Sequence, residues 1–373
     1  MPSLIPHEPV YVRIAGVGMV TPQGTTATAT FDNIMAGRVL LDTGRVALAH
    51  DSADRVTQLA AVAAHEAIAD AGWTAAALRG PRTALLIGTS KGPIERWIAA
   101  SAGGAALSRP IFGMAELASD LNALLGLRPE FQLTYSAACA SGLHAFIKAY
   151  CLIRQGACDR VLVVASESSL GALFQATFQR LGVLAPAGYG CRPFDRNRRG
   201  FTLSEAAAAV CLDHQPRPAG VIVNRAAMFA DAHHLTATDP EAATLRHLLA
   251  DLRGPNGIDF VHAHGTGTGL NDPAELAAID ALLGDSAPQV YSHKAALGHT
   301  QGAAGLLAVA INTIVHRSGR IPPNAATAAP LPTTSARLIA GGGKHRLTTS
   351  LAIAAGFGGP VAGVKLMATG ESA

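Results

Sequence analysis

Leu133-Thr134-Tyr135-Ser136-Ala137-Ala138-Cys139-Ala140-Ser141-Gly142 takes a β-prone run into a helix through a string of small residues. The strand reads from Phe131 to Tyr135 and the helix from Ser141 to Gln155. The same alternation extends in both directions. Upstream, Val12–Val20 and Thr83–Thr89 read as strands, with Thr57–Ala71 and Ala115–Leu125 as helices. Downstream, strands are expected at Arg160–Ala165, Val221–Phe229, Ile258–His262, Gln289–Ser292 and Ser350–Ala355. Helices are expected at Pro240–Leu252, Pro273–Leu283 and Ala303–His316. Continuous apolar strands set between helices are buried on both faces, so the chain is an α/β protein with helix-covered sheets. A proline-punctuated stretch, Asp213–Gly220, divides it into halves, 1–215 and 216–373, each able to supply one sheet. Similarity between the halves is too weak to be read as a repeat.

Composition narrows the class. A chain of 373 residues holds roughly two domains or one large layered unit. With 49% hydrophobic and 15% charged residues it cannot be a disordered chain. Its apolar runs are broken by Gly, His, Arg or Asp before reaching the roughly 18 residues of a membrane span. Met1–Tyr11 has neither the basic start nor the apolar centre of a secretion signal, so the expectation is a cytoplasmic protein without membrane partners. The net charge of +3 does not call for nucleic acid and leaves room for a local basic patch. Cys139, Cys151, Cys158, Cys191 and Cys211 form no CxxC pair, which argues against a disulfide framework and for one reactive thiol among structural ones.

That thiol is Cys139. At the start of a helix, free N–H groups and the dipole favour thiolate over thiol, although a small buried cysteine with no chemistry fits the local sequence equally well. Two further loops leave strand ends, where α/β proteins place chemistry. One is His262-Ala263-His264-Gly265-Thr266-Gly267-Thr268, the other His293-Lys294-Ala295-Ala296-Leu297-Gly298-His299. A metal site is not expected, because His233-His234 and His262-Ala263-His264 have no matching local cysteine. The GxG stretches lack the completion that nucleotide phosphates require.

Taken together, these residues resemble the elongating β-ketoacyl-acyl-carrier-protein synthases of the thiolase superfamily. Six motifs lie in order along nearly the whole chain: VRIAGVGMVTPQG (Val12–Gly24), SAACASG around Cys139, RPFDRNRRGFTLSE (Arg192–Glu205), HGTGT…NDPAE, KAALGHTQGAAG and Gly356-Phe357-Gly358-Gly359. The resemblance implies a five-layer αβαβα fold of two similar halves, the first carrying the nucleophile and the second the two histidine motifs. It also implies a dimer, with itself or with a related synthase-like subunit, and an acyl carrier protein as partner. Cys139 is then the acyl acceptor, with His264 and His299 as N–H donors to the enolate of a decarboxylating malonyl thioester. Lys294 organises the histidines electrostatically, and Phe357 is a gate whose backbone N–H joins that of Cys139 in an oxyanion hole. Thr266 and Thr268 match positions that bind the phosphopantetheine arm. No cofactor is implied beyond that arm, which belongs to the carrier. The pathway is fatty-acid or polyketide-type biosynthesis, and the Asn271-Asp272 pair is closer to polyketide and aryl-polyene enzymes.

Departures from the pattern matter equally. Ala308 stands where relatives carry a glutamate that partners the lysine, so either another acid such as Glu275 takes that place or the environment of Lys294 differs from the usual one. Glu205-Ala206-Ala207-Ala208 replaces a glycine-containing turn. Loops near Arg38–Leu48 and Lys91–Ser108 look trimmed. The arginines at 192, 196, 198 and 199 could dock an acidic carrier or simply pair with Asp195 in a solvated loop. The competing function is a chain-length-determining subunit with weak or no catalysis, but such subunits lose the nucleophile. A thiolase would need a second cysteine after Cys211, and an initiating synthase an asparagine in place of His299.

Overall fold

Strands buried on both faces set the architecture. In the computed structural model, which describes residues 10–49, 54–102, 113–236, 239–255, 257–338, 343–344 and 347–369, the strands of the first half are β1 (Tyr11–Val20), β2 (Thr83–Gly88), β3 (Phe131–Tyr135), β4 (Arg160–Glu167) and β5 (Ala206–Gln215). Those of the second are β6 (Val221–Ala230), β7 (Phe260–His262), β8 (Gln289–Tyr291), the short pair β9 (Arg320–Ile321) and β10 (Gly343–Lys344), β11 (Thr349–Ala355) and β12 (Pro360–Ala368). The helices are α1 (Ala27–Met35), α2 (Arg55–Asp70), α3 (Ala75–Arg79), α4 (Ile94–Ala102), α5 (Ala115–Leu125), α6 (Ser141–Arg154), α7 (Ala172–Arg180), α8 (Ala243–Arg253), α9 (Asn271–Leu283), α10 (Lys294–Leu297) and α11 (Ala304–Ser318). The N-terminal stretch 1–9 and the 103–108 part of the trimmed loop lie outside the described residues.

Strand order runs β3-β2-β4-β5-β1 and continues as β6-β12-β11-β7-β8, the two runs meeting where Arg13 of β1 pairs with Ile222 of β6. In each run the first strand is antiparallel to the last and the last antiparallel to the fourth. The fourth and second, and the second and third, are parallel. One topology therefore occurs twice, in a chain whose sequence shows no clear repeat.

Side chains of each strand point alternately to two faces, and the core divides accordingly. Leu86, Val163, Ala208, Ala352, Ala362 and Val364 face a central layer made of α6 and α11. Leu85, Ile87, Val164 and Ala209 face α2 and α5 on one outer side, while Val261, Leu351 and Ile353 face α8 and α9 on the other. This is the five-layer αβαβα arrangement of the thiolase fold.

The central helices approach through glycines. A Cβ on Gly142 at the start of α6 would lie 2.9 Å from Ala165 Cβ and from Gly302 O, and one on Gly305 at the start of α11 would lie 2.8 Å from Leu143 Cβ. The two helices thus begin side by side, and so the loops that lead into them meet.

Strands β5 and β12, the last in each half, escape a reading from sequence. Ala206-Ala207-Ala208-Ala209 has helical propensity, but both faces are packed under helices and only small side chains fit; all four are fully buried. β12 opens on Pro360 and contains Gly363, against whose face Leu252 and Leu248 are pressed. Helix α8 starts at Ala243, three residues later than expected, because Asp239 accepts from the backbone N–H groups of Glu241 (3.0 Å) and Ala243 (2.9 Å) and holds the preceding turn.

Candidate active site

Cys139 sits on an elbow between β3 and α6. Ser141 Oγ donates to Ala138 O (2.6 Å) and accepts from the N–H of Ala137 (2.9 Å), which ties the backbone into a tight turn. Ala138 is forced to φ +48°, a conformation uncommon for a residue with a Cβ. Gly356 packs onto this elbow so closely that a Cβ there would lie 2.9 Å from Ala137 O and 3.1 Å from the Cys139 nitrogen. The backbone leading into Phe357 therefore runs beside the Cys139 amide.

His264 follows β7 on a loop braced from several sides. Glu275 in α9 accepts from the N–H groups of His264 (2.6 Å) and Gly265 (2.7 Å), and Asp272 accepts from those of Gly267 (3.0 Å) and Phe194 (2.7 Å). The Lys294 ammonium donates to the His264 carbonyl. Gly265 adopts φ +44° with Ser292 against its open face. His299 lies on the loop into α11, its N–H donating to Thr202 O (2.7 Å). Its ring meets Phe201 edge-on at 4.7 Å and stands 5.7 Å from the His264 ring, nearly perpendicular to it. The Gln301 N–H donates to His299 Nδ1 (3.3 Å), so the neutral ring carries its proton on Nε2.

Cys139, His264 and His299 line one cavity of about 300 Å³ together with Thr266, Thr268 and Phe357. The lining reaches outward to Leu235 and Leu270, which are 75% and 61% exposed, so the sulfur is not walled off from solvent. The Thr266 and Thr268 hydroxyls face each other at 2.8 Å. Phe357 joins Phe178 (6.5 Å between rings), and Phe178 meets Phe201 at 5.9 Å, so an aromatic wall runs from Phe357 to His299.

The electrostatics correct one expectation. Burial pushes the Cys139 thiol up to about 11, against the pull of Lys91 and Lys294, and Glu167 pushes it further. At neutral pH the resting sulfur is a thiol, because loss of solvent at this elbow outweighs nearby positive charge. Burial, seconded by Lys294, holds both His264 and His299 well below the usual histidine range, so both rings are neutral. Lys294 is itself lowered by burial while Glu275 draws it back up. Glu275 is therefore an electrostatic neighbour of Lys294, its oxygens being occupied by the backbone of His264 and Gly265. At Ala308, buried in α11, there is no acid.

The four arginines divide. Arg198 donates to Thr268 O (2.8 Å), Gly269 O (3.1 Å) and Asp195 O (3.0 Å), and Arg196 to Pro330 O (3.0 Å). Arg192 and Arg199 lie over the Tyr189 ring at 3.9 and 5.1 Å. The Asp195 carboxylate instead accepts from the backbone of Asn197 and Ala329. Cys191 joins the site as well, donating its thiol to Thr266 O (3.3 Å).

Several neighbours were not singled out from sequence. Lys91 on the loop after β2 and Glu167 at the end of β4 act electrostatically on the cysteine, Ser90 bonds to Glu167, and the Gln301 N–H bonds to the second histidine. For Ser90, Lys91 and Glu167 the signal available was position alone, at or just past a strand end, whereas Gln301 lies inside the KAALGHTQGAAG motif. Behind the cavity, His262 bonds Asn312 Oδ1 through Nδ1 (2.9 Å) and His293 Nδ1 through Nε2 (2.7 Å). Among the described residues no group of three or more His, Cys, Asp or Glu side chains is arranged to hold a metal ion.

Comparison with known proteins places this geometry. Residues 44–217 match the model of the β-ketoacyl synthase N-terminal domain and residues 219–328 that of its C-terminal domain. The chain is 33% identical to nodulation protein E of Rhizobium leguminosarum bv. trifolii, over 74% of this chain and 72% of that protein. It is 29% identical to the putative polyketide β-ketoacyl synthase 1 of Streptomyces halstedii, over 93% and 96% respectively. Among solved structures, the ishigamide ketosynthase/chain length factor superposes with a TM-score of 0.84 at 26% identity, covering 96% of this chain and 99% of the other. On these matches, and with a buried cysteine and two neutral histidines around one cavity, the chain belongs to the β-ketoacyl synthase family of acyltransferases.

Proposed function

We propose that this protein catalyses a decarboxylating Claisen condensation between an acyl group on Cys139 and malonyl-acyl-carrier-protein, in fatty-acid or polyketide-type biosynthesis. The observation that carries this reading is the meeting of one thiol and two neutral imidazoles, 5.7 Å apart, on the wall of one cavity. In the first step Cys139 sulfur bonds to the acyl carbon and the carrier's sulfur leaves, taking the thiol proton. A thiol held neutral at rest gives up that proton only as the thioester forms, which fits a nucleophile used once per turnover. The oxyanion formed lies between the backbone N–H groups of Cys139 and Phe357. In the second step the malonyl carboxylate carbon leaves as carbon dioxide, and its bonding pair becomes the enolate. N–H groups of His264 and His299 stabilise the enolate oxygen. The enolate carbon then attacks the acyl carbonyl, and Cys139 sulfur departs as thiolate and takes a proton from water.

Neutral rings suit this role, because a buried imidazolium would itself need an anion. Burial, seconded by Lys294, keeps the rings neutral, and Lys294 ties its own ammonium to the His264 carbonyl. Thr266 and Thr268 bind the phosphopantetheine arm, and Phe357 gates the cavity, with Gly358 and Gly359 at φ +84° and +94° allowing its backbone to turn. No cofactor is required beyond the carrier's own arm. Arg192 and Arg199, which make no carboxylate pair among the described residues, offer the acidic carrier a basic face. β3 lies at the end of the sheet with Phe131 and Leu133 more than a third exposed, and pairing of this edge would give a dimer with a second copy or a related subunit. The protein works in the cytoplasm.

Intact-mass measurement after incubation with a panel of acyl-carrier thioesters tests the reading. The protein should gain one acyl group, and Cys139→Ala should gain none while keeping its melting temperature. Undiminished loading of that variant overturns the assignment.

A further inference from the structure

Lys91 follows β2, the second strand of its half, as His264 follows β7, the second strand of the other half. Its ammonium donates to Gln301 Oε1 and to Ser90 Oγ (2.9 Å), and it lies 5.2 and 5.8 Å from the ring centres of Phe174 and Phe178. Ser90 in turn donates through both N–H (2.8 Å) and hydroxyl to Glu167 Oε2. Glu167 also accepts from the Gly302 N–H (3.3 Å) and the Ser169 hydroxyl (2.8 Å). One end of this partly buried network therefore grips the loop that bears His299.

The grip falls on a strained residue. Gln301 is fully buried at φ +48°, a left-handed conformation unfavourable for a residue with a Cβ. In that conformation its N–H reaches His299 Nδ1 (3.3 Å). Its side chain is pinned at the acceptor end by Lys91 and at the donor end by Ser169 O (3.5 Å).

We propose that Lys91 is a positioning residue of the condensation: by clamping Gln301 it keeps the Gln301 N–H on His299 Nδ1, which leaves the His299 ring proton on Nε2, and it places a cation beside Cys139. The inference rests on the role given above to His299. The charged and titratable groups around the Cys139 and His299 side chains pull in both directions. Cys139 is faced by Lys91 and Lys294, which favour its thiolate, and by Glu167, which opposes it. His299 is kept neutral by burial and by Lys294 and Lys91, and His264 by burial, Lys294 and His299.

The test compares Lys91→Met, Lys91→Arg and Gln301→Ala in the full chain, each with its melting temperature. Malonyl decarboxylation and acyl loading are measured separately, with the pH profile of Cys139 alkylation and the His299 tautomer from nitrogen-15 spectra. Lys91→Met should lower decarboxylation kcat about tenfold or more with KM little changed, and should slow alkylation near pH 8 about tenfold, the effect of a thiol moved up by about one pH unit. Lys91→Arg should recover most of both. Gln301→Ala should lose decarboxylation and the fixed tautomer while alkylation stays as in the wild type, and it decides the matter should Lys91→Met fail to fold. Wild-type decarboxylation and tautomer in Gln301→Ala, or an unchanged alkylation profile in a folded Lys91→Met, overturns the proposal. A wild-type protein that takes up no acyl group refutes the condensation itself, whereas tautomer and alkylation in that same protein still judge Lys91.

Discussion

Gly302→Ala is the sharpest single test of how the two halves share the site. A Cβ at this position would lie 2.6 Å from the Ser90 nitrogen, 2.7 Å from Glu167 Oε2 and 3.1 Å from the Thr89 carbonyl carbon. Reaching an ordinary contact of about 3.5 Å requires a retreat of about 0.9 Å. Neither neighbour can yield, since Ser90 is bonded to Glu167 and Glu167 also holds Ser169. The 298–303 turn must therefore move, and its Gly302–Glu167 hydrogen bond (3.3 Å) is lost. His299 stands three residues earlier on that turn. A displacement near 1 Å of a group that must meet a developing charge costs about 100-fold in rate, and overpacking costs about 1–3 kcal/mol of stability. The Cys139 elbow and the Gly356–Phe357 backbone come from other segments, so acyl loading should fall far less than malonyl decarboxylation. Both are read by mass spectrometry and carbon dioxide release on one preparation. Decarboxylation within about twofold of wild type, or equal loss of both steps, would refute the argument.

Other outcomes follow from the same structure. The Arg55–Glu205 ion pair is buried at both ends (4% and 1% exposed), so Glu205→Gln should cost about 3–5 kcal/mol in urea unfolding; a loss below about 1 kcal/mol would mean the pair contributes little. Burial holds His262 at about 3 and His316 at about 4, below their unfolded value of about 6.5. The unfolded chain then binds protons first, so stability is complete above pH ~6.5 and falls by about 1.4 kcal/mol per pH unit for each ring as pH drops towards the folded values. His262→Gln should flatten that slope, and parallel slopes would exclude the ring as its source. With its thiol at about 11, Cys139 should react with iodoacetamide ever faster up to that pH, and a plateau near pH 8 would contradict the burial argument.

How much was legible beforehand depended on what decides each feature. β2 and β4 are runs of Leu, Ile and Val whose periodicity and β propensity agree, and they were readable. β5 was not, since Ala206–Ala209 is chosen for thinness between packed helices, a tertiary requirement that overrides propensity. Cys139, His264, His299, Lys294 and Phe357 stood out because they sit in motifs. Their convergence depends on Gly142 and Gly305 bringing α6 and α11 together, which no local pattern announces. Charge state was misread for a related reason. The helix terminus beside Cys139 is local and visible, whereas the burial that outweighs it is assembled from several distant segments.

The duplicated topology explains why those segments converge. Cys139 follows β3 and precedes α6; Lys294 and His299 follow β8 and precede α11, and β8 is the third strand of its half as β3 is of the other. Lys91 and His264 follow the second strands, β2 and β7. Glu167 ends β4 and Phe357 follows β11, the fourth strand of each run. Every one of these groups thus stands at the carboxyl end of a second, third or fourth strand, where open α/β sheets gather their chemistry. Because α6 and α11 share the central layer, the carboxyl ends of the two sets open onto a common volume. Each half fills equivalent positions with different functional groups: a thiol faces an imidazole, a cation faces the other imidazole, and a carboxylate faces a phenylalanine loop. Two copies of one frame can then diverge into nucleophile and electrophilic donors without either having to change its backbone.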